Sequence, residues 1–143
     1  MGQGYRGYVS CREFGGMRIP VSVQSLVLRD YCARNRLHYK LHVNENSFPH
    51  SYLVLEGLTS NLEGLAGVLM SSMFMLPERR LRRDWLYQQF FRQNAELHFV
   101  LEGYVIRTPE DVEKVEEIFQ IQTALDECPT AEELGRMVLS QPE

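Results

Sequence analysis

The sequence predicts an α/β fold in which helices cover both faces of a parallel sheet. Strand-like segments alternate with amphipathic helical segments along most of the chain, a pattern typical of parallel strands joined by helical crossovers. Residues 65–70 form an almost continuous apolar run, which favours a central strand buried on both faces. Residues 37–43 alternate apolar and polar side chains, which indicates a strand with one solvent-facing side.

From these observations we predict a single-domain sheet of four parallel strands in the order 2-1-3-4. The apolar third strand takes the centre of the sheet, and the amphipathic second and fourth strands take its edges. The length of 143 residues fits one domain. We assign the α/β domain to residues 1–129 and a short C-terminal helix and tail to residues 130–143, where the spacing of Thr130 and Glu133 matches a capping box.

The first strand is predicted at residues 5–9, and it runs into a polar loop that contains glycines at 15–16. A helix is predicted over residues 20–35. It begins at a proline, a residue that is common in the first helical turn because the N–H it lacks would have no partner there. Val23 and Leu26 are predicted on its apolar stripe. The second strand ends in another polar loop.

Residues 51–61 fit either helical or strand periodicity, and the α/β alternation favours a helix. The next helix is predicted over residues 78–93, and its apolar face is predicted to contain Leu81, Trp85, Leu86 and Phe90. The arginines near its start are interpreted as solvent-exposed charge; they are Arg79, Arg80, Arg82 and Arg83. The fourth strand is predicted at residues 95–101. A long helix over 108–127 has a threonine cap, a proline and two acids at its start.

Composition narrows the classes of function. Fifteen basic residues against nineteen acidic ones give a net charge of −4, so a free-standing nucleic-acid binder is disfavoured. The three cysteines, Cys11, Cys32 and Cys128, form no C-x-x-C pair, which indicates neither a disulfide framework nor a zinc site. With no signal-peptide pattern and no apolar run of about 20 residues, we expect a cytoplasmic protein without a membrane partner.

The candidate functional site follows from the parallel sheet, because ligands of open α/β sheets bind beyond the carboxyl ends of the strands. The loops after all four predicted strands carry polar side chains. For catalysis the candidates are Ser10, Glu13, Glu45, His50 and Glu102, and for substrate binding they are Arg12, Arg18, Asn44, Asn46, Ser71, Ser72 and Tyr104.

These residue types point to an anionic ligand. The guanidinium groups of Arg12 and Arg18 offer a fork of donors that matches phosphate or carboxylate. The acids and His50 are candidates for moving a proton. No metal is predicted, since the spacing of His42, Glu45 and His50 matches no metal motif, and no cofactor is predicted, since glycine-rich nucleotide motifs are absent from the sequence.

Ser10 has two interpretations. As a nucleophile it would need an activating base or strong local positive charge, and the sequence shows no such partner. The alternative is a serine that only hydrogen-bonds its own loop.

Motifs at residues 4–10, 12–20, 28–32, 74–77 and 97–102 carry a resemblance that covers nearly the whole chain. In these stretches the sequence resembles the bacterial sporadic carbohydrate cluster protein family. Members of that family lie among genes for surface polysaccharide biosynthesis. The resemblance therefore implies a pathway rather than a reaction, and within that pathway the expected ligand is a sugar phosphate or a nucleotide sugar.

A more remote resemblance rests on residues 7–10, Gln24, Leu26, residues 30–31 and residues 99–108 followed by a long helix. Here the sequence is similar to the catalytic domain of serine recombinases, which implies a resolvase-like three-layer fold. Ser10 falls at the place of the attacking serine, but Tyr8 stands where that family has an arginine. Residues 72–77 replace its arginine-bearing motif.

Three functional hypotheses remain. The first is a protein of surface carbohydrate biosynthesis that acts on or binds a phosphorylated or nucleotide-activated sugar. The second is a non-catalytic dimeric partner or scaffold of a biosynthetic enzyme, because the recombinase resemblance implies a homodimer through helix 108–127. The third is a relic of recombinase-type phosphotransfer at Ser10. Whether the protein is an enzyme is left open by the sequence.

Overall fold

The computed structural model describes residues 3–127 and residue 136. The predicted C-terminal helix from Thr130 and the cysteine at 128 lie outside the described residues. The elements in chain order are β1 (Gly4–Val9), α1 (Val21–Arg34), β2 (Tyr39–Asn44), α2 (Leu53–Ser60), β3 (Leu65–Met70), a 3₁₀ turn (Met73–Met75), α3 (Arg80–Arg92), β4 (Glu96–Phe99), β5 (Tyr104–Ile106) and α4 (Pro109–Glu127). The segment 51–61 therefore contains a helix, the alternative that the α/β alternation favoured.

The sheet has five strands in the order β2-β1-β3-β4-β5, and its first four strands are parallel. The predicted order of those four strands is confirmed. The prediction of a purely parallel four-stranded sheet is wrong, because β5 pairs antiparallel with β4, Phe99 facing Tyr104. Gly103 makes this hairpin possible, since its φ of +73° is unfavourable for other residues and its N–H bonds to the carbonyl of Phe99. The fourth strand is thus not an edge.

Strand β2 lies at the edge, as predicted, but its side chains do not keep one alternation. The pairing with β1 shifts by one residue between Arg6–Lys40 and Tyr8–Val43, which marks a β-bulge. Because an extra residue reverses the alternation, Leu41 is 65% exposed, although the sequence placed it with Tyr39. The guanidinium of Arg6 bonds the carbonyl of Leu41 at 2.7 Å beside the irregularity.

The buried face of α1 differs from the prediction. Leu26 is 67% exposed and Val23 is exposed as well. The buried residues are Gln24, Leu28 and Cys32, which follow one another at intervals of four along the helix. Leu28 and Cys32 pack with strand residues in an apolar cluster.

The buried face of α3 agrees with the prediction in part. Leu86 and Phe90 are buried, as predicted, but Leu81 is 83% exposed and Trp85 is exposed. Arg83 is buried as well. Arg83 can be buried because its guanidinium donates to two backbone carbonyls that precede the helix, those of Pro77 at 3.0 Å and of Glu78 at 2.6 Å. The assignment of Arg83 to solvent is therefore wrong.

Both faces of the sheet are covered. Tyr8 and Val9 are neighbours on β1, their side chains point to opposite faces, and both are fully buried. Val9 packs with Leu69 and with α1 residues on one face. This sheet and helices α1 to α3 belong to a compact unit that extends to Val112, and a second unit comprises residues from Glu113 onward.

A hydrogen-bond network joins the strands near their amino ends. Glu96 accepts from the Tyr5 hydroxyl at 2.6 Å, from His98 Nε2 at 2.9 Å and from Arg107 Nε at 2.5 Å. The Tyr31 hydroxyl, on α1, donates to Nδ1 of His98 at 2.7 Å. Gly67 lies between Tyr5 and Glu96 in the register, so no side chain of β3 separates these two partners.

Among the described residues, no helix has the length and apolar character that crossing a membrane requires.

Candidate functional site

The carboxyl ends of β1 to β4 meet at one edge of the sheet, as a parallel arrangement requires. Val9 pairs with Asn44 at the end of β1 and β2, and Met70 pairs with Phe99 at the end of β3 and β4. The loops after these strands are tied to one another, because the N–H of Leu101 bonds the carbonyl of Ser71 at 2.8 Å. Two cavities lie at this edge.

The first cavity, here called the Ser10 cavity, has a volume of about 320 Å³. It is formed by the loop after β1, the start of the segment that enters α2, and the 3₁₀ turn after β3. Its lining consists of Ser10, Arg12, Glu13, Phe14, Gly15, Gly16, Tyr52, Phe74, Met75 and Glu78. Three of the predicted site residues, Ser10, Arg12 and Glu13, are therefore brought together here.

Ser10 is held by Gln24 of α1. The Ser10 N–H donates to Oε1 of Gln24 at 3.2 Å, and Nε2 of Gln24 donates to the Ser10 carbonyl at 2.6 Å. The Ser10 hydroxyl oxygen accepts from the Arg12 N–H at 3.2 Å. Ser10 is 2% exposed, and in the described part of the chain neither a histidine nor a carboxylate hydrogen-bonds to it. The hydroxyl thus organises its own loop.

Arg12 forms one wall of the Ser10 cavity. One guanidinium nitrogen donates to the Ser51 carbonyl at 2.5 Å, and the guanidinium carbon lies 4.3 Å from the centre of the Tyr52 ring. Both contacts fix the position of the charge beside the cavity. The guanidinium carries five N–H donors, so most of them are left for a ligand.

Glu45 is a structural anchor in the loop after β2. Its carboxylate accepts from the backbone N–H groups of Asn46, Val54 and Leu55 at 2.9 to 3.1 Å, and from two hydroxyls, those of Tyr8 and Ser51. Burial alone would raise the pKa of Glu45, but these hydrogen bonds outweigh it and lower the pKa below its usual range. Its negative charge at the first turn of α2 also complements the helix dipole. A carboxylate so engaged is poorly placed to take a proton from a ligand.

Glu102 anchors the loop after β4 to the loop after β3. Its Oε1 accepts from the Met73 N–H at 2.5 Å. Burial raises its pKa, although the hydrogen bonds from Met73 and Ser72 oppose the shift. Ser71 and Ser72 lie beneath the surface, and Ser72 Oγ accepts from the Phe74 N–H at 3.1 Å. Glu102 and Ser72 thus support the 3₁₀ turn, and neither they nor Ser71 line the Ser10 cavity.

The second cavity, here called the arginine cavity, has a volume of about 400 Å³ and is lined by His50, Tyr52, Pro77, Glu78, Arg79 and Arg82. Arg82 forms an ion pair with Glu56 and lies 5.1 Å from the centre of the Tyr52 ring. His50 has a φ of +57°, an uncommon backbone conformation for a residue other than glycine. Of the predicted site residues, only His50 lines this cavity.

The other predicted binding residues lie elsewhere. Arg18, Asn44, Asn46 and Tyr104 are exposed, and none of them lines either cavity. Within the described ranges, no group of histidine, cysteine and acidic residues has the arrangement of a metal site.

Sequence reasoning missed the aromatic and charged residues that complete the two cavities, namely Phe14, Tyr52, Phe74, Glu78 and Arg82. Tyr52 follows the end of β2, and Glu78 and Arg82 follow the end of β3. All three lie further along the chain than the loops in which the site was predicted. The positional rule for parallel sheets would have found Tyr52 and Glu78 if it had been applied up to the next helix.

Neither a protein family model nor a curated protein matches the sequence. Among solved structures, the chain is similar to the N-terminal catalytic domain of TP901-1 integrase, with a TM-score of 0.61 and 15% sequence identity. The match covers 87% of this chain and 95% of that domain. At this identity the likeness establishes that the chain shares the fold of this integrase catalytic domain, and it establishes nothing about the reaction.

Proposed function

We propose that this protein binds a phosphorylated or nucleotide-activated sugar at the carboxyl edge of its sheet, in the biosynthesis of surface carbohydrate. The observation that carries the proposal is the position of Arg12, whose guanidinium is fixed by Ser51 and Tyr52 at the wall of the Ser10 cavity. A guanidinium held in this way is ready to bind phosphate oxygens, because little side-chain freedom is lost on binding. The pathway is taken from the resemblance to the carbohydrate cluster family.

If the protein also performs a reaction, Glu13 and His50 are the best placed of the candidate proton carriers. Both line a cavity, and neither side chain has a hydrogen bond or ion pair with the rest of the described chain. Glu45 and Glu102, in contrast, are engaged by backbone N–H groups. Arg18, which we had paired with Arg12, is not part of the cavity lining.

Isothermal titration calorimetry with sugar 1-phosphates and nucleotide sugars tests the proposal. We expect binding by the natural chain, and a loss of at least about tenfold in affinity for Arg12→Ala, because the bidentate contact is lost. Arg36→Ala is the matched control, since Arg36 is exposed in the turn after α1 and lines neither cavity. If no ligand of either class binds the folded natural chain, the proposal is wrong.

Phosphotransfer at Ser10 is the second candidate, and it is favoured by one observation. Ser10 faces a cavity at the end of β1 in a chain whose fold is that of a recombinase catalytic domain. Its hydroxyl lacks a base among the described residues, which counts against this candidate. A phosphate or nucleic-acid adduct on Ser10, found by mass spectrometry and absent from Ser10→Ala, would support phosphotransfer over ligand binding.

The third candidate, a dimeric partner of a biosynthetic enzyme, is supported by exposed apolar side chains on α4. Ile121 and Leu125 lie four residues apart on this helix, and both are exposed. If α4 forms a dimer, Ile121→Asp together with Leu125→Asp should convert the protein to a monomer in light-scattering measurements. A natural chain that is already monomeric would rule out this candidate.

A further inference from the structure

The Ser10 cavity and the arginine cavity share a wall. Tyr52 and Glu78 line both of them. A ligand that fills one cavity can therefore extend over Tyr52 into the other, and the site is larger than either cavity alone.

The shared wall carries positive charge from two elements. Arg12 lies 4.3 Å from the centre of the Tyr52 ring, and Arg82, on α3, lies 5.1 Å from it. Each guanidinium has one carbonyl or carboxylate partner, the Ser51 carbonyl or the Glu56 carboxylate, and each keeps further N–H donors. Two such groups around one ring favour a ligand whose most negative part crosses that ring.

The two cavities differ in chemistry on either side of Tyr52. The Ser10 cavity combines the carboxylates of Glu13 and Glu78 with the rings of Phe14 and Phe74. Carboxylates accept hydrogen bonds from hydroxyls and repel anions, so this end fits an uncharged polyhydroxyl ring.

The arginine cavity has the opposite character. Its lining contains two arginines, Arg79 and Arg82, and one carboxylate, Glu78. The Arg79 guanidinium has no ion pair or hydrogen bond with other described residues, so it is available to a ligand. This end fits a group that is attached through phosphate.

We propose that the site takes a sugar joined through a diphosphate to a second group. The sugar occupies the Ser10 cavity, the diphosphate crosses Tyr52 between Arg12 and Arg82, and the second group occupies the arginine cavity. This inference rests on the proposed function, and it narrows the ligand from any phosphorylated sugar to a diphosphate-linked one. The second group is a nucleoside or a prenyl chain, and the experiment distinguishes the two.

Calorimetry with the full chain compares four kinds of probe: hexose 1-phosphates, nucleoside diphosphates, the corresponding nucleoside diphosphate hexoses, and a hexose linked through diphosphate to a farnesyl chain. We expect one diphosphate-linked hexose to bind at least about tenfold more tightly than its hexose 1-phosphate, because only the linked ligand reaches both cavities. Which of the two linked ligands shows this gain identifies the second group.

Arg79→Gln is the decisive variant, since Arg79 is exposed and its side chain has no partner to lose. It should weaken the diphosphate-linked ligand by about tenfold and leave the hexose 1-phosphate unchanged. Arg36→Gln is the matched control and should change neither. Circular dichroism melts of both variants establish that they are folded.

The outcomes separate the two proposals. If a hexose 1-phosphate binds through Arg12 but neither linked ligand binds more tightly, or Arg79→Gln has no effect, the bipartite site is wrong and the proposed function stands. If no probe binds the folded natural chain, both proposals are wrong.

Discussion

The hydroxyl of Tyr8 donates a hydrogen bond to Oε1 of Glu45 at 2.9 Å, and both residues are buried. Through this contact the core of β1 holds the loop after β2. The same carboxylate receives the first N–H groups of α2, and therefore Tyr8 also fixes where α2 begins and where Tyr52 stands. Tyr8 thereby positions a wall of the candidate site.

Loss of the Tyr8 hydroxyl and loss of the Glu45 carboxylate should both destabilise the protein, and the second loss should cost more. Tyr8→Phe removes one donor among five to Glu45, so we expect a loss of about 1 kcal/mol in the free energy of unfolding. Glu45→Ala leaves several buried donors without an acceptor, and we expect a loss of about 3 kcal/mol. Urea unfolding measures both, with Glu63→Ala as an exposed control. Equal losses in the two variants would contradict the anchoring role of Glu45.

The Glu96 network should make stability fall in acid. Burial would raise the pKa of Glu96, but hydrogen bonds from Tyr5, His98 and Arg107 outweigh it and lower the pKa to about 2, from 4.5. A carboxyl whose pKa is lowered in the folded state stabilises it above pH 4.5, and this contribution is lost as the pH falls towards 2.

Urea unfolding between pH 7 and pH 3 tests this contribution. Glu96→Gln should show a shallower decline of stability with acidification than the natural chain, because the titrating group is gone. Glu45 still titrates in the variant, so a residual slope is expected. The idea fails if the two proteins lose stability in parallel across this range.

Gly67 should tolerate no side chain. A Cβ at this position would lie 2.2 Å from the backbone carbonyl oxygen of Glu96, and backbone cannot move aside as a flexible side chain does. We expect Gly67→Ala to cost about 3 kcal/mol or more in the free energy of unfolding.

Gly57→Ala is the control for that variant. Gly57 lies inside α2 and has no atom within 4 Å of an added Cβ. Alanine favours the helix there, so this variant should gain about 0.5 to 1 kcal/mol. In urea unfolding, Gly57→Ala should raise the free energy of unfolding and Gly67→Ala should lower it. A Gly67→Ala variant as stable as the natural chain would show that β4 does not approach β3 this closely at Gly67.

Asp111 should contribute more to the stability of the protein than its neighbour Glu110 at the start of α4. Its Oδ2 accepts from the N–H groups of Arg107 and Thr108 at 3.0 Å and from the Thr108 hydroxyl at 3.1 Å. Asp111→Ala should therefore cost about 1 kcal/mol, the usual effect of losing a helix cap. Thermal unfolding of Asp111→Ala and Glu110→Ala compares a capping acid with an acid that contributes only its charge.

Much of the sheet could be predicted because the apolar run of β3 and the alternation of β2 are local signals. Strand β5 could not, since Tyr104–Ile106 has three residues and depends on the hairpin at Gly103. Because β5 was not predicted, β4 was wrongly placed at the edge of the sheet.

The buried face of α1, and part of that of α3, differ from the prediction for another reason. Each helix buries a polar side chain, Gln24 or Arg83, whose partners are backbone atoms outside the helix. Hydrophobic periodicity cannot show such partners, because it scores a polar residue as exposed. The site was affected in the same way. Glu45 and Glu102 are carboxylates, and for that reason they were candidates for proton transfer. In the structure both accept hydrogen bonds from backbone N–H groups and so hold loops in place.

The double hydrogen bond between Gln24 and Ser10 has a consequence for hydrogen exchange. The Ser10 amide lies beyond the end of β1, yet its partner is a side chain of α1, so its deuterium uptake should be governed by that helix. A loop residue of this kind exchanges only when its helix undocks or when the whole domain opens. The protection factor of the Ser10 amide is therefore a direct reporter of how often α1 leaves the sheet.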